Sequence, residues 1–425
     1  MEEGKTLGRV KLWRASTVVP AKPNPSKPMH TLNDRDLAMK AHYIRAVYYF
    51  DKCSVQNFCN GRWKEGFFES LMEYSPVAGR LELGPDGREF IRCNDAGVRI
   101  VEAFADAQLV DWKDLKDCSL ETELSLSQIE GTQMEILPLV AIQITRFKCG
   151  GVAIGLSWSH VLGGAFCASL FMRSWSECCR RSSSSRVCLP GCDHEKISEL
   201  LKGQSNSKQI LRDFIINMQK GETLVELASF RLSNEMVDYL ISSAKMSKHS
   251  KPVKPFVAVS AFVWRSILKA QSRKAVHRAL ICRETKENND PNIPFFHLGN
   301  DQILAQVELC DEDMELSSTW SLCKIAESIQ TADPMISVDK DEATLVYGYD
   351  LTFVNWEQLP WFDLVFEEEG PIHVSCTAEP VGINGMVMVM PSSPSEGANA
   401  RLVKVSLSRD EVVKLKQDFS FLLTN

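Results

Sequence analysis

The chain has 425 residues, 44% hydrophobic and 24% charged, with a formal net charge of −7. That length suits two domains with ample apolar material for their cores, and the acidic balance excludes non-specific nucleic-acid binding, which needs a basic face. No run of about 18 or more apolar residues occurs, so no membrane-spanning helix is expected. The N-terminal stretch MEEGKTLGRVKLWRAS lacks the apolar centre of a signal peptide, and the 14 cysteines are read as reduced thiols in a cytosolic setting.

In chain order, RAVYYF (45–50) is β-branched and aromatic and predicts a buried strand. GRWKEGFFESLMEY (61–74) places Trp63, Phe67, Leu71 and Tyr74 along one helical face. Pro76 and Gly79 end that helix, and GPDG (84–87) predicts the turn of a hairpin running into EFIRC. LPLVAIQITRFKCGGVAIGLSW reads as two strands joined at Gly150–Gly151. The Ser- and Cys-rich stretch from 176 to 209 is poor in periodic apolar residues and reads as an exposed crossover. The expected division is therefore a first domain over 1–181, a linker over 182–208 and a second domain over 209–425. In the second half, VAVSAFVWRSILKAQ (257–271) is a helix with Val259, Phe262, Val263, Ser266 and Ile267 along a face. LTFVNW, IHVSCTAEP and GMVMVMP are strands. Ser408 and Glu411 fit a capping box ahead of a final helix striped by Val412, Leu415 and Phe419. The pattern is α/β with mixed sheets.

One histidine stands out. His160 ends an apolar strand and precedes a small-residue turn, Gly163-Gly164-Ala165, that lets the chain bend into the helix FCASLFMRSW. Its ordinary pKa of about 6.5 suits it to take a proton from a hydroxyl or amine nucleophile; a core histidine satisfied by backbone is the alternative. Ser157 and Ser159 flank Trp158, but no G-x-S-x-G elbow is present, which argues against a serine hydrolase. The remaining histidines show no HxxxH or HExxH spacing. Cys188, Cys192 and His194 superficially suggest zinc, but the second half of a paired-ligand pattern is missing, so no metal is expected.

The segment ITRFKCGGVAIGLSWSHVLGG, together with YSPVAGRLEL, IRCNDAGVRIVEA, VSAFVWRS, LGND (298–301) and LTFVNWEQLPWFDLVFEEEGP, resembles the plant BAHD acyl-CoA-dependent acyltransferases, in order along the whole chain. The resemblance implies two chloramphenicol-acetyltransferase-like domains with an interdomain channel in which acyl-CoA meets an acceptor. It also implies His160 as general base. Two departures stand out. The family's H-x-x-x-D motif here has Gly164 where the aspartate belongs, which predicts a base held less firmly. Its D-F-G-W-G motif is replaced by Val365-Phe366-Glu367-Glu368-Glu369, then Gly370 and Pro371, with Asp363 two residues before the expected aspartate and so on the same face of a strand. The three glutamates would disfavour the anionic coenzyme A, or else form a solvated surface loop.

DLAMKAHYIRAVYYF (36–50), IRCNDAGVRIVEA, LTFVNWEQL and PVGINGMVMVMPS resemble one branch of that family, the Eceriferum and Glossy wax proteins. Resemblance to this branch implies an accessory factor in cuticular wax synthesis. Such a factor acts with a 3-ketoacyl-CoA synthase of the fatty acid elongase to lengthen very-long-chain acyl groups, without acyl transfer of its own. On that reading His160 is vestigial, no cofactor is needed beyond acyl-CoA as ligand or substrate, and the protein sits at the cytosolic face of the endoplasmic reticulum or in the cytosol. The competing expectation is an O- or N-acyltransferase using His160.

Overall fold

Segments rich in β-branched and aromatic residues pair into two six-stranded mixed sheets, and segments with an apolar stripe form the helices packed with them. The computed structural model describes residues 10–23, 29–55, 62–113, 120–126, 137–180, 225–245, 252–270, 277–283, 298–300, 302–309, 321–332, 347, 351–379 and 385–422. The expected crossover at 182–208, with Cys188, Cys192 and His194, lies outside the described residues. The strands are β1 (Lys11–Val18), β2 (Met29–Thr31), β3 (Tyr43–Phe50), β4 (Arg80–Leu83), β5 (Glu89–Arg92), β6 (Val98–Ala105), β7 (Val140–Phe147), β8 (Val152–Ser159), β9 (Val225–Leu232), β10 (Arg278–Arg283), β11 (Ile303–Glu308), β12 (Leu351–Asn355), β13 (His373–Glu379), β14 (Met386–Pro391) and β15 (Arg401–Ser408). The helices are α1 (Asp34–Ala38), α2 (Arg62–Glu73), α3 (Leu109–Lys113), α4 (Ala165–Arg180), α5 (Asn234–Ser243), α6 (Pro255–Ala270), α7 (Leu322–Thr331) and α8 (Arg409–Leu422).

Two compact units are distinguished, each assembled from three chain segments. The first comprises Met1–Gln204, Lys286–Asn300 and Leu359–Pro380; the second comprises Ser205–Thr285, Asp301–Gln358 and Val381–Asn425. The sequence reading expected one continuous segment per domain. The exchange has a physical cause in β13, which lies late in the chain yet pairs antiparallel with β3 over its full length, from His373 opposite Tyr49 to Glu379 opposite Tyr43.

The sheet of the first unit runs β1-β6-β7-β8-β3-β13, parallel only between β6 and β7. Its central strands β3 and β8 are buried along their whole length, which explains their near-continuous apolar sequences. Helices α2 and α4 pack against each other through Trp63, Phe67, Phe171 and Trp175, with ring centroids 5.0–6.3 Å apart. Gly66 allows that approach, because a Cβ there would lie 2.4 Å from the Cys179 sulfur. On the sheet face carrying Arg45, a short 3-10 turn at Leu120–Leu124 lies across the strands. Arg45 forms an ion pair with Glu379 and donates to the Ser125 hydroxyl at 2.9 Å. A smaller sheet, β2-β5-β4, completes the unit and contains the expected hairpin turn, with Gly87 at φ 79°.

The sheet of the second unit runs β11-β10-β12-β14-β15-β9, parallel on both sides of β12. Helix α6 is buried on nearly every side, so the stripe read from sequence (Val259, Phe262, Val263, Ser266, Ile267) is only part of its contact surface. At the start of α8, Glu411 reaches back to the Ser408 amide at 2.9 Å and its hydroxyl at 2.8 Å, and Val412, Leu415 and Phe419 enter the core as expected.

Candidate functional site

His160 stands where β8 stops and a single 3-10 turn, His160–Leu162, leads to α4. The turn depends on Gly163, whose φ of 123° lies in the region L side chains avoid. A Cβ at that position would also lie 2.6 Å from the Cys167 sulfur and 2.7 Å from the Gly299 carbonyl oxygen. The Trp158 indole N–H donates to the Gly163 carbonyl at 3.0 Å, pinning the turn to the end of the strand that feeds it.

Two further segments bond the His160 backbone directly, and a third holds one of them. Its amide donates to the His42 carbonyl at 2.9 Å, and its carbonyl accepts from the Asn300 side-chain amide at 2.9 Å. Asn300 is itself held by Asp36: both the Asn300 backbone N–H and its side-chain amide donate to Asp36 Oδ1, each at 2.9 Å. Asp36 is 3% exposed, and its other carboxylate oxygen accepts from the Asn33 amide at 2.9 Å in a reciprocal capping box at the start of α1. The weaker restraint expected from Gly164 is therefore offset by a carboxylate from a distant part of the chain, acting through Asn300 on the histidine's backbone.

The imidazole has no solvent-accessible surface, and neither does that of His42, whose ring lies edge-on to it at 6.5 Å. Burial lowers the His160 pKa from 6.5 to about 4, against hydrogen bonds to its own backbone and Asn300 that favour the proton. Burial lowers the His42 pKa to about 3, and the neighbouring His160 adds to that shift. Both rings are thus neutral near pH 7. A neutral imidazole can accept a proton, but one whose conjugate acid has a pKa of about 4 is a poor base at that pH.

The segment replacing the second family motif behaves differently. Residues 361–371 are turn, bend and irregular backbone, so the expectation that Asp363 lies on a strand is corrected. Asp363 is 53% exposed and pairs with Arg173 at 3.4 Å. Phe366 is buried against Trp175 and Phe50, with centroid distances of 4.9 and 5.8 Å, so this retained motif residue packs the core. Glu368 and Glu369 are exposed and Glu367 is half-buried, consistent with a solvated loop. Gly370 is required locally, because a Cβ there would lie 2.6 Å from the Phe362 carbonyl oxygen.

Among the described residues, no group of three or more His, Cys, Asp or Glu side chains is arranged to hold a metal ion. Sequence reasoning singled out His160 but not His42, Asp36 or Asn300. The Asn33-x-x-Asp36 spacing was a legible cap signal, whereas the contact of Asp36 with a residue 264 positions away had none.

A profile of the Transferase family matches residues 9–422. The chain is 29% identical to Protein ECERIFERUM 2 of Arabidopsis thaliana, over 99% of this chain and all of the relative. It is 27% identical to Protein ECERIFERUM 26-like of the same plant, over 98% and 96% of the two chains. The crystal structure of vinorine synthase aligns with a TM-score of 0.71 at 17% identity, covering 96% of each chain. That of F. graminearum TRI101 with coenzyme A and T-2 mycotoxin aligns with a TM-score of 0.65 at 14% identity, covering 92% of this chain and 97% of the other. The mixed-sheet α/β units are chloramphenicol-acetyltransferase-like domains, and the chain belongs to the Transferase family, the BAHD acyltransferases, with Eceriferum proteins among its relatives.

Proposed function

We propose that this chain is an accessory factor in cuticular wax synthesis. It acts at the cytosolic face of the endoplasmic reticulum beside a 3-ketoacyl-CoA synthase, extending very-long-chain acyl groups without transferring them. The Eceriferum relatives support the pathway. The observation that carries the non-transferase part is His160 itself, sealed from solvent and shifted to a pKa of about 4. A base so weakened gives little help to an attacking hydroxyl or amine at neutral pH. Acyl-CoA is then a ligand or the partner's substrate. A partner that lengthens an apolar pocket gains about 0.8 kcal/mol for each additional buried CH₂.

The test is co-expression with candidate condensing enzymes in yeast, followed by acyl-chain profiling. Longer products that persist with His160→Ala are expected; unchanged chain lengths with every candidate would overturn the reading. A second reading, an O- or N-acyltransferase with His160 as base, is favoured by the Asn300–Asp36 tether, which holds the histidine's backbone in one place. Turnover of acyl-CoA with an alcohol or amine acceptor, abolished by His160→Ala, would establish it instead.

A further inference from the structure

The outer edge of the first unit's main sheet carries an apolar patch that the site described above does not use. Trp13 is 63% exposed, Leu12 66% and Phe104, on the neighbouring strand β6, 44%. The β1–β6 ladder is irregular between Leu12 and Arg14, and the intervening Trp13 turns its ring onto Phe104 with centroids 5.5 Å apart. Leu12 pairs with Ala103 and points to the opposite sheet face, so apolar side chains flank both sides of one edge.

Cations surround the aromatic pair. The register sets Lys11 opposite Phe104 and Phe104 opposite Arg146, with Arg14 opposite Glu102 on a nearby rung. Lys64 of α2 reaches the Glu102 carboxylate at 3.6 Å and Arg146 reaches it at 4.0 Å. Four cations therefore stand beside the exposed rings with Glu102 among them, while Glu123 accepts from the Val10 amide at 3.4 Å just ahead of β1, on a chain whose net charge is −7. The next charged pair outward, Lys148 with Asp106 at 3.2 Å, cancels.

We propose that this edge docks on an anionic lipid surface, with Trp13, Phe104 and Leu12 entering the headgroup layer edge-on and Lys11, Arg14, Lys64 and Arg146 facing lipid phosphates. Indole and phenyl rings with long cationic side chains around them match the physical character of a bilayer interface, apolar below and anionic above. Addition of a protein strand to β1 fits less well, since a bulge and charged side chains are the features by which sheet edges resist pairing. Contact of this kind is peripheral, and no described helix is long and apolar enough to cross a membrane. The inference does not depend on the proposed role in chain elongation.

The experiment is flotation of the purified full chain with vesicles of phosphatidylcholine alone or phosphatidylcholine mixed with phosphatidylserine. Binding to the anionic vesicles is expected, weakening with added salt and falling by at least about tenfold in Trp13→Ala/Phe104→Ala and in Lys11→Glu/Arg14→Glu. All four positions are on the surface, so both variants should keep the wild-type melting transition. The proposal is overturned by absence of binding, by equal binding to neutral and anionic vesicles, or by folded variants that bind as the wild type does. The last result would leave the edge to a protein partner.

Discussion

The His160 turn and the 365–371 loop occupy the two places where a member of this family departs from its own motifs, and the fold treats them in opposite ways. At the turn, one motif residue is gone, yet the backbone is closed locally by Trp158 and tied by hydrogen bonds to two other segments, at His42 and Asn300. At the loop, most of the motif is gone and the replacements face water, while the remaining Phe366 packs in the core. Buried polar networks are costly to leave half-made, so a network persists as a unit or is lost as one. A surface loop has no such constraint and can change residue by residue. The bonds at the turn run through the backbone of His160 and would hold that position whatever side chain it carried, so a fixed histidine does not by itself establish catalysis.

That contrast breaks most visibly at Asp36. In Asp36→Ala the Asn300 amides lose their acceptor and α1 loses its capping box, so a destabilisation of about 2–4 kcal/mol is expected, read by chemical denaturation. A change below about 0.5 kcal/mol would show that the tether contributes nothing.

The second measurement is the pH dependence of unfolding. In the fold His160 and His42 resist protonation down to about pH 4 and about pH 3, whereas in the unfolded chain they take protons near 6.5. Between those values the unfolded state binds more protons. Stability contributed by the neutral pair is therefore complete above about 6.5 and lost as pH falls towards 4. A loss on the order of a few kcal/mol is expected over that window, with a shallower slope in His160→Gln. Identical slopes in the two proteins would mean that His160 titrates normally. The smallest effect belongs to the loop, where Glu367→Gln/Glu368→Gln/Glu369→Gln should move stability by no more than about 0.5 kcal/mol. A larger change would mark the loop as structural and remove the contrast.

Local patterns were readable in the sequence and long-range ones were not. The buried β3, the apolar face of α2, the Gly150 turn between β7 and β8, and the stripe of α8 all follow from short-range periodicity and turn residues. Asp363 was misplaced because its two-residue offset from the motif's aspartate position was read as strand alternation, while Gly370 and the packing of Phe366 favour a folded-back loop. The reach of Asn300 to Asp36 and the pairing of β13 with β3 depend on topology, which leaves no local mark.

The place of β13 bears on how the chain is made. Strand β3 finds its outer neighbour only when residue 379 has emerged, long after the other strands of the same sheet are available. Until then a strand that ends up buried along its whole length is left as an open margin on a nascent polypeptide, the kind of surface that chaperones protect and that recruits other chains into aggregates. A chain halted before that residue would carry a sheet with an unfinished seam, and its yield in the cell would be governed by quality control rather than by any loss at the histidine.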